Sequence, residues 1–273
     1  MVPSVEEQQK IADFLTAVDN KLTALRRKRE LLQTYKRGMM QKLFSQELRF
    51  AAHGRANAAS EGIAGAAKAN DDSEFPEWEE KKLGDCIQSL DAGVSVNSAD
   101  RPAHQGEKGI LKTSAVTSGK YDPSENKLVN SSKELARLKE HVQANTIIIS
   151  RMNTPALVGA SGFVDKDNPN LFLPDRLWSI KVKDGCSSRW LTMLLASDRM
   201  RAILSARATG TSGSMKNITK SDVLSIRVMC PLISEQQKIA NFLYAIDAKI
   251  DAVVQQIDRM ETFKKGLLQK MFV

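Results

Sequence analysis

The chain has 273 residues, of which 42% are hydrophobic, 26% charged and 5% aromatic. That length suffices for a real core, the apolar share excludes a disordered chain, and no run of 18 apolar residues exists to span a membrane as a helix. Forty Lys and Arg against 32 acids give a formal +8, which suits a nucleic-acid partner without proving one. The excess is uneven: residues 1–50 carry +4, residues 51–74 −2, residues 75–230 +5 and residues 231–273 +1. The opening MVPSVEEQQK has no basic region followed by an apolar stretch, so no secretory signal is expected. Cys86, Cys186 and Cys230 lie far apart, with no C-x-x-C and no paired histidines. Neither a disulfide framework nor a metal site is expected, and a reducing cytoplasm is the default location.

Residues 1–44 form one copy of an internal repeat. Pro3–Phe44 aligns without gaps to Pro231–Phe272, with 19 of 42 positions identical, E-Q-Q-K-I-A and the Gly38/Gly266 pair among them. In the first copy Ile11, Leu15, Val18, Leu22 and Leu25 recur at spacings of three and four, and Leu32, Tyr35, Met39 and Leu43 continue the series. That is a heptad seam, so a rod of about 60 Å is expected, needing a helical partner to cover its apolar stripe. Arg29 interrupts the seam where the second copy has Ile257. It sets the register of pairing or snorkels out to solvent. Gly38 and Gly266 signal a break, a bend or a close helix contact, since mid-helix glycine costs about 1 kcal/mol.

Residues 45–74 change character. From Ala51 to Asn70 about half the residues are alanine or glycine, and Ile63 is the one large apolar side chain. A flexible linker is expected there.

Residues 75–230 have the grammar of an α+β globule. Strand-like runs cover Gly109–Val116, Thr146–Ser150, Leu157–Val164, Leu177–Val182 and Val223–Met229, with helices expected at Ser131–Val142 and Ser188–Ala208. Thr209-Gly-Thr-Ser-Gly-Ser-Met-Lys-Asn-Ile reads as a loop whose small residues leave backbone N–H groups accessible. Thr211, Ser212, Ser214 and Lys216 suit phosphates there, and Asn217 suits a base edge; the bland alternative is a surface loop. The preceding helix adds Arg199, Arg201 and Arg207. Lys112, Thr113 and Ser114 in one strand-like run, and Arg151 with Asn153 past another, are further contact candidates or solvated turn residues. Trp78, Trp178 and Trp190 fit a core better than stacking platforms. No catalytic motif is present: no P-loop, no G-x-G-x-x-G opening a helix, no N/D-P-P-aromatic, and Glu125-Asn-Lys127 is too short a pattern to mean a nuclease.

Residues 231–273 are the second copy, with Ile239, Leu243, Ile246, Ile250, Val253 and Ile257 as its seam. Pro231 precedes it, and Ser234 with Gln237 fits a capping box.

FPEWEEKKLGD, ILKTSAV, IIISRMNT followed by LVG, LPDRLW, TGTSGSMKNI and then EQQKIA…K-x-G-x-x-Q-K-x-F, in this order, resemble the specificity subunit of type I restriction–modification systems. The resemblance implies a mixed target-recognition domain, flanked by two long α-helices that pair as a coiled-coil-like spacer. It implies a non-catalytic protein that reads one half of a split site in double-stranded DNA and docks methyltransferase subunits through its helices. The motor/endonuclease subunit joins through the complex. No cofactor is implied on this chain, since S-adenosylmethionine, ATP and Mg belong to the partner subunits. The family pattern alternates two recognition domains with two helices, whereas here one domain lies between two helices. The chain therefore resembles a half-size subunit, for which a homodimer is expected, or the C-terminal half of a full-size one. A helical scaffold whose middle domain binds protein, and a self-sufficient nuclease or methylase, are the rival classes.

Overall fold

A computed structural model describes residues 4–50, 66–68, 76–212 and 214–272. They form two compact units: a helical unit of residues 1–42 and 241–273, and a globule of residues 43–240. Among the described residues no helix is long and apolar enough to cross a membrane.

The helical unit joins most of α1 (Val5–Phe44) to most of α7 (Ile233–Phe272), both continuous helices. The repeat pairs with itself in antiparallel fashion inside one chain. Val18, Leu22 and Leu25 pack with Val253 and Ile257, and Leu32 and Met260 extend the cluster. Lys36 Nζ lies 2.7 Å from both carboxylate oxygens of Asp247, and Lys264 Nζ lies 2.5 Å from Asp19. Asp19 and Asp247 occupy the same repeat position, as do Lys36 and Lys264. One ion pair is therefore the pseudo-dyad image of the other, and the repeated Asp and Lys fix the register. Ile11 and Leu15 are only half-buried, while Ile239, Leu243, Ile246 and Ile250 are buried.

Gly38 and Gly266 break neither helix, and a Cβ at either would meet no neighbour within 4 Å. Of the three readings of these glycines, a break and a close contact both fail. Arg29 is half-buried, with its Nε enclosed and unbonded. An enclosed unpaired donor costs about 1–3 kcal/mol. Arg29→Ile, which installs the residue of the other copy, is expected to raise stability by about 1 kcal/mol or more. A shift of the urea midpoint to higher concentration checks this, and a shift downward contradicts it.

The globule holds two four-stranded sheets around one core. In the first, β4 (Ile87–Ala92), β12 (Leu177–Val182), β8 (Ile147–Ser150) and β10 (Ser161–Phe163) run antiparallel in that order. In the second, β11 (Asn168–Phe172) pairs parallel with β5 (Gly109–Leu111) and antiparallel with β7 (His141–Val142), and β5 pairs with β6 (Asn126–Leu128). Every residue of β8 is buried, which is why three consecutive isoleucines stand there. Leu111, Val142, Ile148, Leu171 and Leu177, drawn from both sheets, share one cluster with Ala115, Val116, Val164 and Leu173. Burying each such aliphatic side chain stabilises by about 1.5–3 kcal/mol. Trp78, Trp178 and Trp190 are all buried.

Several expected elements are shortened by competing local contacts. The run at 109–116 is β5 followed by a 3-10 turn at Thr113–Val116. The helix at 131–142 reduces to α3 (Ser132–Leu135), because the Glu140 carbonyl accepts from Leu173 N and His141 and Val142 join the second sheet. The helix at 188–208 is two, α4 (Ser188–Ala196) and α5 (Asp198–Arg207). Ser197 between them is extended; its hydroxyl donates to Leu194 O and accepts from Met200 N. The run at 223–229 splits into α6 (Lys220–Leu224), started by a Thr219–Asp222 capping box, and β15 (Arg227–Cys230). β15 pairs with β3 (Glu79–Lys82) and closes the ends of the globule together. The second helix begins at Ile233, so Ser234 lies inside it, whereas Ser4 and Glu7 make a capping box at the first helix.

The stretch expected as linker does not begin at residue 45. Leu48–Phe50 is strand β1, paired with β2 (Ala66–Lys68), and Arg49 and Phe50 are buried. Arg49 Nε and Nη2 donate to Glu235 at 3.1 and 2.7 Å, Nη2 also to Pro76 O at 2.6 Å. Trp78 Nε1 donates to the same Glu235 carboxylate at 3.0 Å, and Phe50 N at 3.3 Å. Residues 51–65 and 69–75, most of the expected linker, lie outside the described residues.

Candidate nucleic-acid interface

The Thr209–Ile218 stretch is not a loop but a hairpin. Strands β13 (Thr209–Ser212) and β14 (Met215–Asn217) pair antiparallel, and β14 pairs on its other side with β9 (Met152–Asn153). Gly210 is required here, since a Cβ would stand 2.2 Å from Met215 O. Register places Lys216 opposite Asn153 and Asn217 opposite Met152, while Ile218 N donates to Arg151 O at 2.9 Å. Asn153 thus shares one small sheet with Lys216 and Asn217, more than 60 residues on in sequence, and Arg151 adjoins its edge. Ser214 is exposed at its turn. The side chains of Thr211 and Ser212 lie outside the described residues, although their backbone belongs to β13.

These side chains differ in what they leave available. The Arg151 guanidinium lies 5.5 Å from the Trp178 ring, with its Nε enclosed and unbonded. Asn217 Oδ1 is likewise enclosed and unbonded. Asn153 spends its carboxamide locally, donating to Ser150 Oγ and accepting from Thr154 N. Lys216 Nζ donates to Ser205 O at 3.4 Å, which leaves two of its three donors. Exposed Arg176, whose carbonyl accepts from Arg151 N, stands beside the sheet and escaped the sequence reading, although LPDRLW contains it.

Lys112, Thr113 and Ser114 form a separate group. All three are half-buried, and Glu125 draws them inward: Lys112 Nζ lies 3.6 Å from its carboxylate, and Ser114 Oγ donates to it. This is a correction, since the residues follow a strand rather than lie in one, and two are already partnered. Lys127, the other half of the short E-x-K pattern, pairs with Asp100 at 2.7 Å. The basic helix also needs correcting. Arg201 donates to Val158 O and Ala156 O, and its burial pulls its pKa down. Arg207 donates to Asp222 O and Ser225 Oγ, so of the three only Arg199 is exposed without such a tie. Hydrogen bonds from Thr219 hold Asp222 below its usual carboxylate range. Among the described residues no group of His, Cys, Asp and Glu is arranged to hold a metal ion.

Lys216, with two donors left, on the hairpin sheet and exposed Arg176 beside it offer charges of the kind phosphates need, and the Asn217 carboxamide stands on the same sheet with its oxygen enclosed. Residues 76–262 match the family model for the type I restriction modification DNA specificity domain. The chain belongs to that family. It is 29% identical over 164 residues to the type I restriction enzyme EcoEI specificity subunit of Escherichia coli, an alignment covering 59% of this chain and 27% of that one. It is 26% identical over 170 residues to the EcoKI specificity subunit of E. coli strain K12, covering 60% and 36%. Among solved structures, the S subunit of a type I restriction-modification system from M. genitalium matches at TM-score 0.61 and 13% identity, over 98% of this chain and 61% of that one. The HsdS subunit from Thermoanaerobacter tengcongensis matches at TM-score 0.51 and 17% identity, over 98% and 59%. The likeness to these structures is one of fold. The aligned part is about a quarter to a third of the curated relatives' length, and the chain spans about 60% of the solved ones.

Proposed function

We propose that this type I specificity chain is a non-catalytic reader of one half of a split site in double-stranded DNA. The match of the specificity-domain model across the globule and into α7 carries the reading. In it, Asn217 and Arg151 on the hairpin sheet meet base edges, and Lys216, Arg176 and Arg199 meet phosphates. The paired helices dock methyltransferase subunits, a motor/endonuclease subunit joins through the complex, and S-adenosylmethionine, ATP and Mg reside on those partners. The two ion pairs of the antiparallel helices, one part-buried and one exposed, support a spacer of fixed length, because register fixes the rod. Binding of the purified chain to duplex DNA, followed by anisotropy, should weaken steeply between 50 and 200 mM salt, on the order of 10³-fold or more for six phosphate contacts. Absence of salt-dependent binding would favour the adaptor class.

The second half-site is supplied, in this reading, by a second copy, giving a C₂ homodimer and an interrupted palindrome. One observation favours a different source. Glu235 and Ile239 of the second repeat are buried in the globule, yet their first-repeat counterparts Glu7 and Ile11 are exposed and half-buried. Phe14 is 47% exposed where Phe242 is 6%. An identical E-Q-Q-K-I-A face thus stands uncovered on α1, ready for a second recognition globule of the same kind. Sedimentation distinguishes the two: a species of about 60 kDa, twice the chain mass of 30.2 kDa, supports the homodimer. A monomer preferring an asymmetric half-site supports the second globule.

A further inference from the structure

Helix α5 grips the loop that follows β9. Arg201 and Ser205, one turn apart, lie on the same face of the helix. Arg201 Nη1 donates to Val158 O at 2.7 Å and Nη2 to Ala156 O at 2.8 Å, while Ser205 Oγ donates to Pro155 O at 2.8 Å. Within the loop, Thr154 O accepts from Leu157 N and Val158 N, and Leu157 O accepts from Ala160 N. Every carbonyl from 154 to 158 is thus satisfied, three of the five by α5. Gly159 closes the turn at φ +78°, and a Cβ there would stand 2.8 Å from Leu204 Cδ1 and 3.0 Å from Arg201 Nη1, so the loop is pressed onto the helix. The helix is itself anchored. Met200 and Leu204 are buried, and Arg207 ties its end to α6 through Asp222 O and Ser225 Oγ. Next to them Ile226 O accepts from Leu83 N, where the short helix α2 (Leu83–Cys86) starts. On the other side of the loop Thr154 is exposed, and its hydroxyl bonds to no group among the described residues. Asn153 pairs opposite Lys216, so the same register carries Thr154 toward Met215 and the exposed turn at Ser214.

We propose that Arg201 is a positioning residue for DNA recognition, whose forked guanidinium fixes the loop after β9 and so aims the Thr154 hydroxyl at a base edge. The inference rests on the reading of the hairpin sheet as the DNA face. A threonine hydroxyl both donates and accepts, so it discriminates between bases only when its direction is fixed. The near end of the Asn153–Thr154 step is fixed locally: Thr154 N donates to Asn153 Oδ1, and Asn153 Nδ2 donates to Ser150 Oγ. Arg201 and Ser205 fix the far end. A planar fork holds two carbonyls at once in one geometry, which the compact ammonium of a lysine does not. Lys216 Nζ, donating to Ser205 O at 3.4 Å, ties the facing strand β14 to the same helix. One anchored helix therefore sets both strands of the reading sheet.

Hydrogen–deuterium exchange of the full chain without DNA tests the clamp. Arg201→Lys keeps the charge and loses the fork, so exchange at residues 157–160 should rise about tenfold or more while the amides of β8 and β12 stay protected. Binding to duplexes carrying single base changes tests the role. Arg201→Lys and Arg201→Gln should each lower discrimination at one base position about tenfold, with the salt slope unchanged. Thr154→Val, which loses only the hydroxyl, should flatten the same position and leave the loop exchange as it is. Adding Arg201→Lys to Thr154→Val should cost no further discrimination there, since both act through one contact. A slope lower by about one in Arg201→Gln would make Arg201 a phosphate contact and overturn the proposal. Unchanged loop exchange in Arg201→Lys would overturn it too, as would faster exchange with base preference intact, the mark of a purely structural role. A wild-type chain that binds no duplex, or prefers no base, would overturn the half-site reading and this role together, whatever the exchange shows.

Discussion

Glu235→Ala is expected to destabilise the globule by about 3–5 kcal/mol, the loss typical of removing one partner from a buried ion pair. The carboxylate is the common acceptor for Arg49 Nε and Nη2, Trp78 Nε1 and Phe50 N, and the Arg49 and Glu235 side chains are 6% and 2% exposed. Removing it strands a guanidinium that sits 5.6 Å from the Trp78 ring with little access to water. The strand Leu48–Phe50 and the first turn of α7 lose their shared anchor in the same step. The twin substitution Glu7→Ala is the internal control. Glu7 is exposed and accepts from Ser4 alone among the contacts above, so its loss is that of one exposed cap contact and should be much the smaller. Urea unfolding of the two variants, followed by far-UV circular dichroism, reads the difference; equal midpoints would refute the anchoring role.

Substitutions in the hairpin sheet are expected to separate reading from holding. Asn217→Ala removes a half-buried carboxamide on the hairpin sheet, and discrimination at one base position should fall by about 1–3 kcal/mol. Lys216→Ala removes a charge, and affinity should fall for all sequences with a salt slope lower by about one. Competition between duplexes carrying single changes, at two salt concentrations, measures both. Asn217→Ala lowering affinity uniformly, with preference intact, would assign it to the backbone instead.

The helices were legible because a repeat and a 3.6-residue period are local properties of a sequence. Their partner was legible less directly: the repeated Asp and Lys that pair Asp19 with Lys264 and Lys36 with Asp247 sit among many other charges, and the antiparallel register picks them out. In the globule, β8 was readable from a continuous apolar run and β12 from a β-rich run bounded by turn residues. The break at Ser197 was not, because a serine hydroxyl that bonds both flanking helices outweighs good helix formers on either side. Nor was strand β1 in a stretch read as linker, since Arg49 and Phe50 are buried by partners about 185 residues away. The candidate interface was half legible. Residue types suited to DNA could be named, but which of them are already engaged, as Lys112 and Ser114 are by Glu125 and Arg201 by backbone carbonyls, depends on long-range contacts.

Selection of bound duplexes from a random-sequence pool by the purified chain tests the central claim most directly. Recovered DNA should converge on a short block of fixed bases, alone or repeated in inverted orientation across a spacer of constant length, and the Asn217→Ala variant should blur one position of that block. A pool that binds yet stays random after repeated rounds would contradict the assignment of sequence reading to this globule.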